Sequence, residues 1–276
     1  MESASLWSVI PARDEETTIS HVIEECLLAG SEKVLVVVNG SSDRTAKCAK
    51  GFPSERVLVY EVEEPLGLDV PRALGGYIAY LHGARYILFC DGDLSGRIAS
   101  HLASLFGSMT WGYDLSLSNC YPRGIPGGGM AGRVTTARLE LNRKIGREDL
   151  GAAVMSHGPS CISRRFLDVL PCHVLGIPPL AQALAVKMGL TVKVGAAFDH
   201  NLLGSKERHG NHPDKIADLI VGDCLLAISV FEGGLPLRCR QGTACIGFDN
   251  ERRWDLLNLH LEKVRSANLF PTLIPG

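Results

Sequence analysis

The most informative stretch of the sequence is residues 86–93, which read Tyr-Ile-Leu-Phe-Cys-Asp-Gly-Asp. A short apolar run ends abruptly at Asp91 and Asp93, a pattern typical of a buried strand with carboxylates at its carboxyl end. Two carboxylates held this close repel each other unless a cation or a proton lies between them. The pattern therefore fits a Mg²⁺ or Mn²⁺ site, and taken alone it fits an ordinary Asp-Gly turn equally well.

The same kind of strand occurs repeatedly in the first half of the chain. Apolar runs at residues 6–10, 34–38 and 57–60 are each followed by polar or glycine residues, and residues 19–27 carry apolar side chains at helical spacing. Strands alternating with helices predict the α/β class, with a mostly parallel sheet flanked by helices. Ligands of such sheets bind at the carboxyl ends of the strands, so the polar residues there are candidate site residues.

The second half alternates turns with helix-period segments. A loop rich in glycine and proline at residues 122–129 and a Gly-Pro-Ser turn at residues 158–160 separate these segments. The predicted elements are helices at residues 135–145, 163–170 and 179–188, a strand at 191–195, and helices at 213–231 and 251–267.

Composition narrows the class of protein. The 276 residues are 46% hydrophobic, enough for one large domain with a helical appendage, and the net charge of -2 gives no basic field for nucleic acid. Residues 216–231 contain two aspartates and are too short for a membrane span, so we expect a core helix and no integral membrane segment. Nine cysteines without a Cys-x-x-Cys pair, and an N-terminus without signal-peptide features, predict a cytoplasmic protein.

Three segments in order resemble the opening third of GT-A-fold, family 2-like glycosyltransferases that use nucleotide-sugars. They are Val-Ile-Pro-Ala-Arg-Asp-Glu-Glu-Thr-Thr-Ile at residues 9–19, Val-Val-Val-Asn-Gly-Ser-Ser-Asp-Arg-Thr at residues 36–45, and Asp91-Gly92-Asp93 as the family's Asp-x-Asp motif. The resemblance implies a Rossmann-like GT-A domain at residues 1–205, with a nucleotide-binding half at 1–115 and an acceptor half at 116–205. A C-terminal helical extension would then cover residues 206–276.

The resemblance also implies a nucleotide-diphosphate sugar donor and Mg²⁺ or Mn²⁺ as cofactor, with Asp91 and Asp93 in catalytic and metal-binding roles. Glu15 can equally interact with a helix N-terminus, and Ser41 to Asp43 can cap a helix. The base of the donor stays open, because Val38 stands where many users of uridine diphosphate sugars carry an acid. The implied nucleotide-sugar-binding residues are Pro11, Ala12, Arg13, Glu15, Asn39, Gly40, Ser41, Asp43, Arg72, Asp91, Gly92, Lys206 and Arg208.

A narrower resemblance lies in the acceptor half. Residues 127–135, Gly-Gly-Gly-Met-Ala-Gly-Arg-Val-Thr, resemble a segment of glucosyl-3-phosphoglycerate synthases and mannosylglycerate-forming enzymes, whose acceptor is a phosphorylated three-carbon acid. A forked cation and a hydroxyl at a glycine-rich helix start can hold such an anion, although a solvated arginine is an equal alternative. The resemblance implies a catalytic role for Arg133. The implied acceptor-binding residues are Gly132, Arg133, Val134, Thr135, Gly158 and Ser160.

The polar residues 198–206 resemble the relatives' His-Arg-Asn region, which implies that His200 completes the metal site, with His209 and His212 as alternatives. Residues 175–179 lack the acid that inverting members use as a base, which favours retaining chemistry. Rival interpretations are a polyprenyl phosphate acceptor, a sugar-phosphate nucleotidyltransferase, and a non-catalytic domain that binds a nucleotide-sugar. A homodimer through the C-terminal helices is an expectation drawn from the family alone.

Overall fold

The computed structural model describes residues 5–205, 212–240 and 242–266. Seven strands form one sheet in the order β3-β2-β1-β4-β6-β5-β7. Only β6 runs antiparallel to its neighbours, while the other paired strands are parallel. The predicted mostly parallel α/β sheet is therefore confirmed. The strands are β1 (Leu6–Ala12), β2 (Lys33–Asn39), β3 (Val57–Val62), β4 (Tyr86–Phe89), β5 (Leu115–Asn119), β6 (Ser160–Ser163) and β7 (Val192–Ala197).

Helices cover both faces of this sheet. Ile19, Val22, Ile23 and Cys26 are fully buried on α1, as their helical spacing predicts. The α1 side and the α3 side of the sheet form two separate apolar clusters. The helices are α1 (Ile19–Leu28), α2 (Thr45–Ala49), α3 (Val70–Leu81), α4 (Ala99–Met109), α5 (Gly129–Lys144), α6 (Arg164–Val169), α7 (Pro178–Lys187), α8 (His212–Phe231) and α9 (Trp254–Ser266).

The C-terminal segment, residues 212–266, packs against the rest of the chain. Helix α8 forms a third apolar cluster with α5 and α7, and Leu257 and Leu261 of α9 join the core beside α3. A small antiparallel pair, β8 (Cys239–Arg240) and β9 (Thr243–Ala244), lies between the two helices in sequence. None of the helices in the described residues is long and apolar enough to cross a membrane, and the core helix expected at residues 216–231 is α8.

Two local predictions were wrong. The turn expected at residues 158–160 ends in β6, so Ser160 is a fully buried strand residue between β4 and β5. Helix α5 begins at Gly129 rather than near Thr135, because the glycine-rich stretch itself enters the helix. The first difference comes from tertiary pairing, which places a short polar strand between β4 and β5. The second lies at an exposed helix start, residues 129–131.

Candidate functional site

A cavity of about 500 Å³, here called the first cavity, opens at the carboxyl ends of β1 and β4. Its walls come from residues 11–15 at the end of β1, residues 91–93 after β4, and most of residues 67–72 around the start of α3. This edge is where parallel α/β sheets bind ligands. The C-terminal segment closes the cavity with His212, Ile216, Ile220, Phe248 and Glu251.

The Asp-Gly-Asp turn is held against the end of β1. The N–H of Gly92 donates to the carbonyl of Pro11 at 3.2 Å, and Thr18 Oγ1 donates to the Gly92 carbonyl at 2.7 Å. A Cβ at Gly92 would lie 3.0 Å from the Cβ of Ala12, closer than side chains normally approach. Glycine therefore lets the turn sit where both Asp91 and Asp93 line the first cavity.

Arg72 lies beneath the turn as a buried cation. Its Nη2 donates to Asp91 Oδ1, and its Nε lies 3.3 Å from Asp69 Oδ1. Burial lowers the pKa of Arg72, but the carboxylates of Asp91 and Asp69 outweigh it, and the pKa is raised. Nη1 is buried and has no hydrogen-bond partner among the described residues, although Arg72 lines the first cavity. An anionic ligand in the cavity can satisfy this donor.

The two aspartates have the chemistry of a site for a hard divalent cation. Mg²⁺ is commonly held by one or two carboxylates and completes its shell with water and substrate phosphates. Among residues 5–205, 212–240 and 242–266, no three His, Cys, Asp or Glu side chains are grouped as a metal site. A cation at Asp91 and Asp93 therefore fits these residues when a phosphate ligand supplies further oxygens.

The structure does not bring His200 to the two aspartates, contrary to the prediction. His200 lines a different cavity of about 480 Å³, here called the second cavity. Its Nδ1 lies 3.1 Å from Nε2 of His157, because the short 3₁₀ turn after β7 points it towards that residue. His212, one of the alternatives, lines the first cavity together with both aspartates. His209 lies outside the described residues.

The predicted donor residues divide into two groups. Gly40, Ser41 and Asp43 do not line the first cavity, contrary to expectation. Ser41 Oγ accepts a hydrogen bond from the N–H of Asp14 at 3.1 Å, and Asp43 Oδ2 accepts one from the N–H of Glu16 at 2.9 Å. Ser41 and Asp43 therefore stabilise the loop after β1. Lys206 and Arg208 lie outside the described residues. The predicted residues that do line the first cavity are Pro11, Ala12, Arg13, Glu15, Asn39, Arg72, Asp91 and Gly92.

The predicted acceptor residues are not gathered around either cavity. Arg133 Nη1 lies 3.0 Å from Asp218 Oδ1 of α8, and Thr135 Oγ1 donates back to the carbonyl of Ala131 at 2.7 Å. Gly132 and Val134 are buried in α5. Gly158 adopts a φ of 74° beside the Cys120 sulfur, and Ser160 is interior to the sheet. Their part in acceptor binding stays a prediction.

A polar cluster lies beside the second cavity. The rings of Tyr121, His157 and His200 pack together, with centroids 4.8 to 5.9 Å apart. Burial, aided by Arg138 and His200, holds the pKa of His157 well below its usual value, so this imidazole is neutral. Burial also lowers the pKa of Arg138, whose buried Nε has no hydrogen-bond partner among the described residues. A water molecule or a polar ligand group that reached this donor would satisfy it.

The two cavities are adjacent along the chain. Ser156 lines the first cavity, and the next residue, His157, bonds to His200 of the second. Sequence reasoning missed Ser156 and the walls supplied by α8 and by the segment before α9. One sequence signal could have indicated that α8 packs against other charged residues. Asp223 lies in an apolar helix, and a buried carboxylate requires charged partners.

A mostly parallel sheet with an Asp-Gly-Asp turn at its ligand-binding edge defines the chain as a GT-A-type glycosyltransferase. Residues 8–169, more than half of the chain, match the model of Glycosyl transferase family 2, and the chain belongs to that family. No curated protein matches the sequence.

Solved structures share the fold. Glucosyl-3-phosphoglycerate synthase from Mycobacterium tuberculosis, in complex with Mn²⁺, uridine diphosphate and glucosyl-3-phosphoglycerate, matches with a TM-score of 0.60 at 20% identity, covering 84% of this chain and 81% of that chain. The same enzyme with Mn²⁺, uridine-diphosphate-glucose and phosphoglyceric acid matches with a TM-score of 0.60 at 20% identity, covering 82% and 80%. A further mycobacterial protein matches with a TM-score of 0.60 at 18% identity, covering 82% and 75%. At these identities, the likeness establishes the fold.

Proposed function

We propose that this glycosyltransferase is metal-dependent and transfers a sugar from a nucleotide-diphosphate sugar to a small phosphorylated acid such as 3-phosphoglycerate. The observation that carries the proposal is the first cavity, where Asp91, Asp93 and the unbonded Nη1 of Arg72 meet at the ligand edge of the sheet. The Mycobacterium tuberculosis enzyme of the same fold binds Mn²⁺, uridine-diphosphate-glucose and phosphoglyceric acid, which supports the same classes of ligand here.

In this proposal, Asp91 and Asp93 hold Mg²⁺ or Mn²⁺. When bound, the cation neutralises the negative charge that develops on the departing diphosphate. Arg72 donates Nη1 to a phosphate oxygen and keeps its Nη2 on Asp91, so the buried guanidinium stabilises the same charge without reorganising. The residues at the end of β1 and Asn39 line the part of the cavity left for the nucleoside.

We propose the second cavity as the place for the acceptor. It adjoins the first through Ser156 and His157, and the buried Arg138 interacts with Tyr121, which lines it. The Nε of Arg138 has no hydrogen-bond partner among the described residues. A phosphate or carboxylate next to Arg138 would satisfy that donor. Arg133 remains a candidate for the same role only if its ion pair with Asp218 opens. Residues 1–115 would then supply most of the donor site and residues 116–205 the acceptor site.

We further propose that the sugar is transferred with retention of its anomeric configuration. Leu175 and Gly176 are buried, and the segment 175–179 offers no carboxylate that could act as a base towards the acceptor hydroxyl. The anomeric configuration of the product, compared with that of the donor by NMR, tests this part. An inverted product would contradict it.

The decisive experiment measures transfer from uridine, guanosine and adenosine diphosphate sugars with Mg²⁺ or Mn²⁺, with and without 3-phosphoglycerate. Asp93→Ala is compared with the wild type, and Asp168→Ala, at an exposed carboxylate on α6, serves as the matched control. Turnover that needs metal, 3-phosphoglycerate and Asp93 supports the whole proposal. Turnover only with a polyprenyl phosphate would change the acceptor, and binding without turnover of any acceptor would indicate a non-catalytic protein.

A further inference from the structure

A chain of alternating charges connects the Asp-Gly-Asp turn, where Asp91 is partly exposed, to the buried Asp223 of the C-terminal segment. Asp91 pairs with Arg72, and Arg72 pairs with Asp69 at the start of α3. Asp69 pairs with Arg252, which lies just before α9, and Arg252 pairs with Asp223 of α8. The site and the C-terminal segment are therefore joined by direct ion pairs as well as by apolar packing.

Arg252 is the central member of this chain. Its side chain is 0% exposed, and its Nη2 lies 2.8 Å from Asp223 Oδ2 and 3.5 Å from Asp69 Oδ2. Its Nη1 donates to Asp223 Oδ1 at 2.8 Å and to Asp249 Oδ1 at 2.9 Å. Arg252 does not line the first cavity. Its side chain contacts two residues that do line the cavity: Asp69 through an ion pair and Leu68 at its backbone carbonyl.

The backbone around these residues is closely docked. Arg252 Nε donates to the carbonyl of Leu68 at 3.3 Å, and the N–H of Arg253 donates to the carbonyl of Leu66 at 2.9 Å. A Cβ at Gly67 would lie 2.4 Å from the carbonyl oxygen of Glu251, so only glycine permits this approach. Asp69 adopts a left-handed backbone conformation, with φ of 64°, which a non-glycine residue keeps only when its surroundings hold it.

The position of the Arg72 guanidinium depends on the charge of Arg252. Asp69 shares its carboxylate between Arg72 and Arg252, and a carboxylate in this setting needs its cations because water reaches it poorly. Without Arg252, Arg72 would be the only cation left on Asp69 among the described residues. The guanidinium of Arg72 would then move towards Asp69, away from Asp91 and from the first cavity.

We propose that Arg252 is a positioning residue that holds Arg72, through Asp69, in the orientation that contacts Asp91 and presents Nη1 to a diphosphate. This inference rests on the proposed function, because it assumes that the first cavity binds the metal and diphosphate of the donor. It assigns the C-terminal segment a part in donor binding. The segment lies far from the Asp-Gly-Asp turn in sequence, so the sequence alone does not indicate this part.

The test is calorimetric titration with Mn²⁺ and uridine, guanosine, adenosine or cytidine diphosphate, using the one that the wild type binds most tightly. Arg252→Met should raise its Kd on the order of 10-fold, the usual effect of removing a group that orients a ligand-binding side chain. Arg252→Lys should give a smaller increase, because one ammonium group cannot hold Asp69 and Asp223 together as the fork does.

Two controls separate positioning from stability. Arg238→Met removes another buried partner of Asp223, 2.6 Å from it, but one with no contact to Asp69, so it should lower the thermal unfolding midpoint and leave Kd unchanged. Arg253→Met changes an exposed neighbour of Arg252 and should alter neither the thermal unfolding midpoint nor Kd. Asp69→Asn combined with Arg252→Met should restore most of the affinity lost in Arg252→Met, because it removes the carboxylate that draws Arg72 away.

The outcomes are distinguishable. A Kd for Arg252→Met equal to that of the wild type overturns the inference while leaving the proposed function intact. An equal loss of affinity in Arg238→Met and Arg252→Met also overturns it, because that result indicates only a structural role. If Arg252→Met does not fold, Arg252→Lys and the double variant decide. A wild type that binds Mn²⁺ with none of the four diphosphates contradicts the proposed function itself.

Discussion

Arg72 on α3 donates from Nη2 to Asp91 Oδ1, so the buried cation and the Asp-Gly-Asp turn form one unit across two elements of the fold. The other terminal nitrogen, Nη1, has no partner among the described residues. Arg72 lines the first cavity, so we expect a phosphate ligand there to accept a hydrogen bond from Nη1.

Arg72→Lys should lower kcat/KM for the donor by about 100-fold, since a lysine cannot contact Asp91 and a phosphate oxygen together, and a charge-assisted hydrogen bond contributes about 1.5–3 kcal/mol. Steady-state kinetics with the best donor from the panel measures this. Arg143→Lys, at an exposed position near the end of α5, is the matched control and should match the wild type. Equal activity of both variants would contradict a role for Arg72.

Gly92→Ala should weaken Mn²⁺ binding more than it weakens the fold. The new Cβ would lie 3.0 Å from the Cβ of Ala12 and 3.1 Å from the Pro11 carbonyl oxygen, so the turn must shift and carry both aspartates with it. Electron paramagnetic resonance of bound Mn²⁺ measures the affinity. Gly107→Ala, in α4 with nothing within 4 Å of its Cβ, is the control and should stabilise the protein by about 0.5–1 kcal/mol. Unchanged Mn²⁺ affinity in Gly92→Ala would show that the turn is not the metal site.

The two candidate histidines should separate by function. His212→Ala should weaken Mn²⁺ binding on the order of 10-fold, because His212 lines the first cavity with Asp91 and Asp93. His200→Ala should leave Mn²⁺ binding unchanged and raise the KM for 3-phosphoglycerate, because His200 lines the second cavity. His173→Ala, which removes contacts to Asn258 and to the Cys172 sulfur and lines neither cavity, is the control. If His200→Ala weakened Mn²⁺ binding and His212→Ala did not, His200 would be the metal ligand that its sequence context predicts.

His101 should make the fold sensitive to acid. It is 3% exposed, its Nε2 lies 2.8 Å from Ser118 Oγ, and burial lowers its pKa from 6.5 to about 4. The unfolded chain therefore takes up a proton at a higher pH than the folded chain does. Its contribution to the free energy of unfolding is complete above pH 6.5 and decreases as the pH falls towards 4.

The expected loss from this residue is about 2 kcal/mol between pH 7 and pH 5. Urea denaturation at both pH values measures it, and His101→Gln should flatten the dependence by that amount. Some dependence should remain in the variant, because burial also lowers the pKa of His157. An identical pH dependence in His101→Gln and the wild type would contradict the assignment to His101.

The sequence predicted the first four strands well, because β1, β2 and β4 are buried along most of their length and read as continuous apolar runs. The predicted runs at residues 6–10, 34–38, 57–60 and 86–90 correspond to β1 to β4. The loop after β1 and the Asp-Gly-Asp turn, both selected as candidate site residues, line the same cavity, although their part in ligand binding stays a prediction.

The rest depends on pairings that no local pattern contains. Strand β6 is four residues long and half serine, and only its position between β4 and β5 makes it a strand. The partners of Arg252 lie at Asp69 and Asp223, far apart in sequence, so their pairing becomes visible only after folding. Arg133 was predicted to bind the acceptor because of its neighbours in sequence, whereas the fold places it beside Asp218.

The closing of the first cavity by α8 and by Phe248 limits how this enzyme can be recombined with others. The family match ends at residue 169, yet five lining residues and the countercharge of Asp69 come from beyond residue 211. A chimera that took only residues 8–169 from this chain would join the first cavity to a foreign wall and leave Asp69 without Arg252. Donor preference and the C-terminal segment are therefore expected to be inherited together, as a single exchangeable unit.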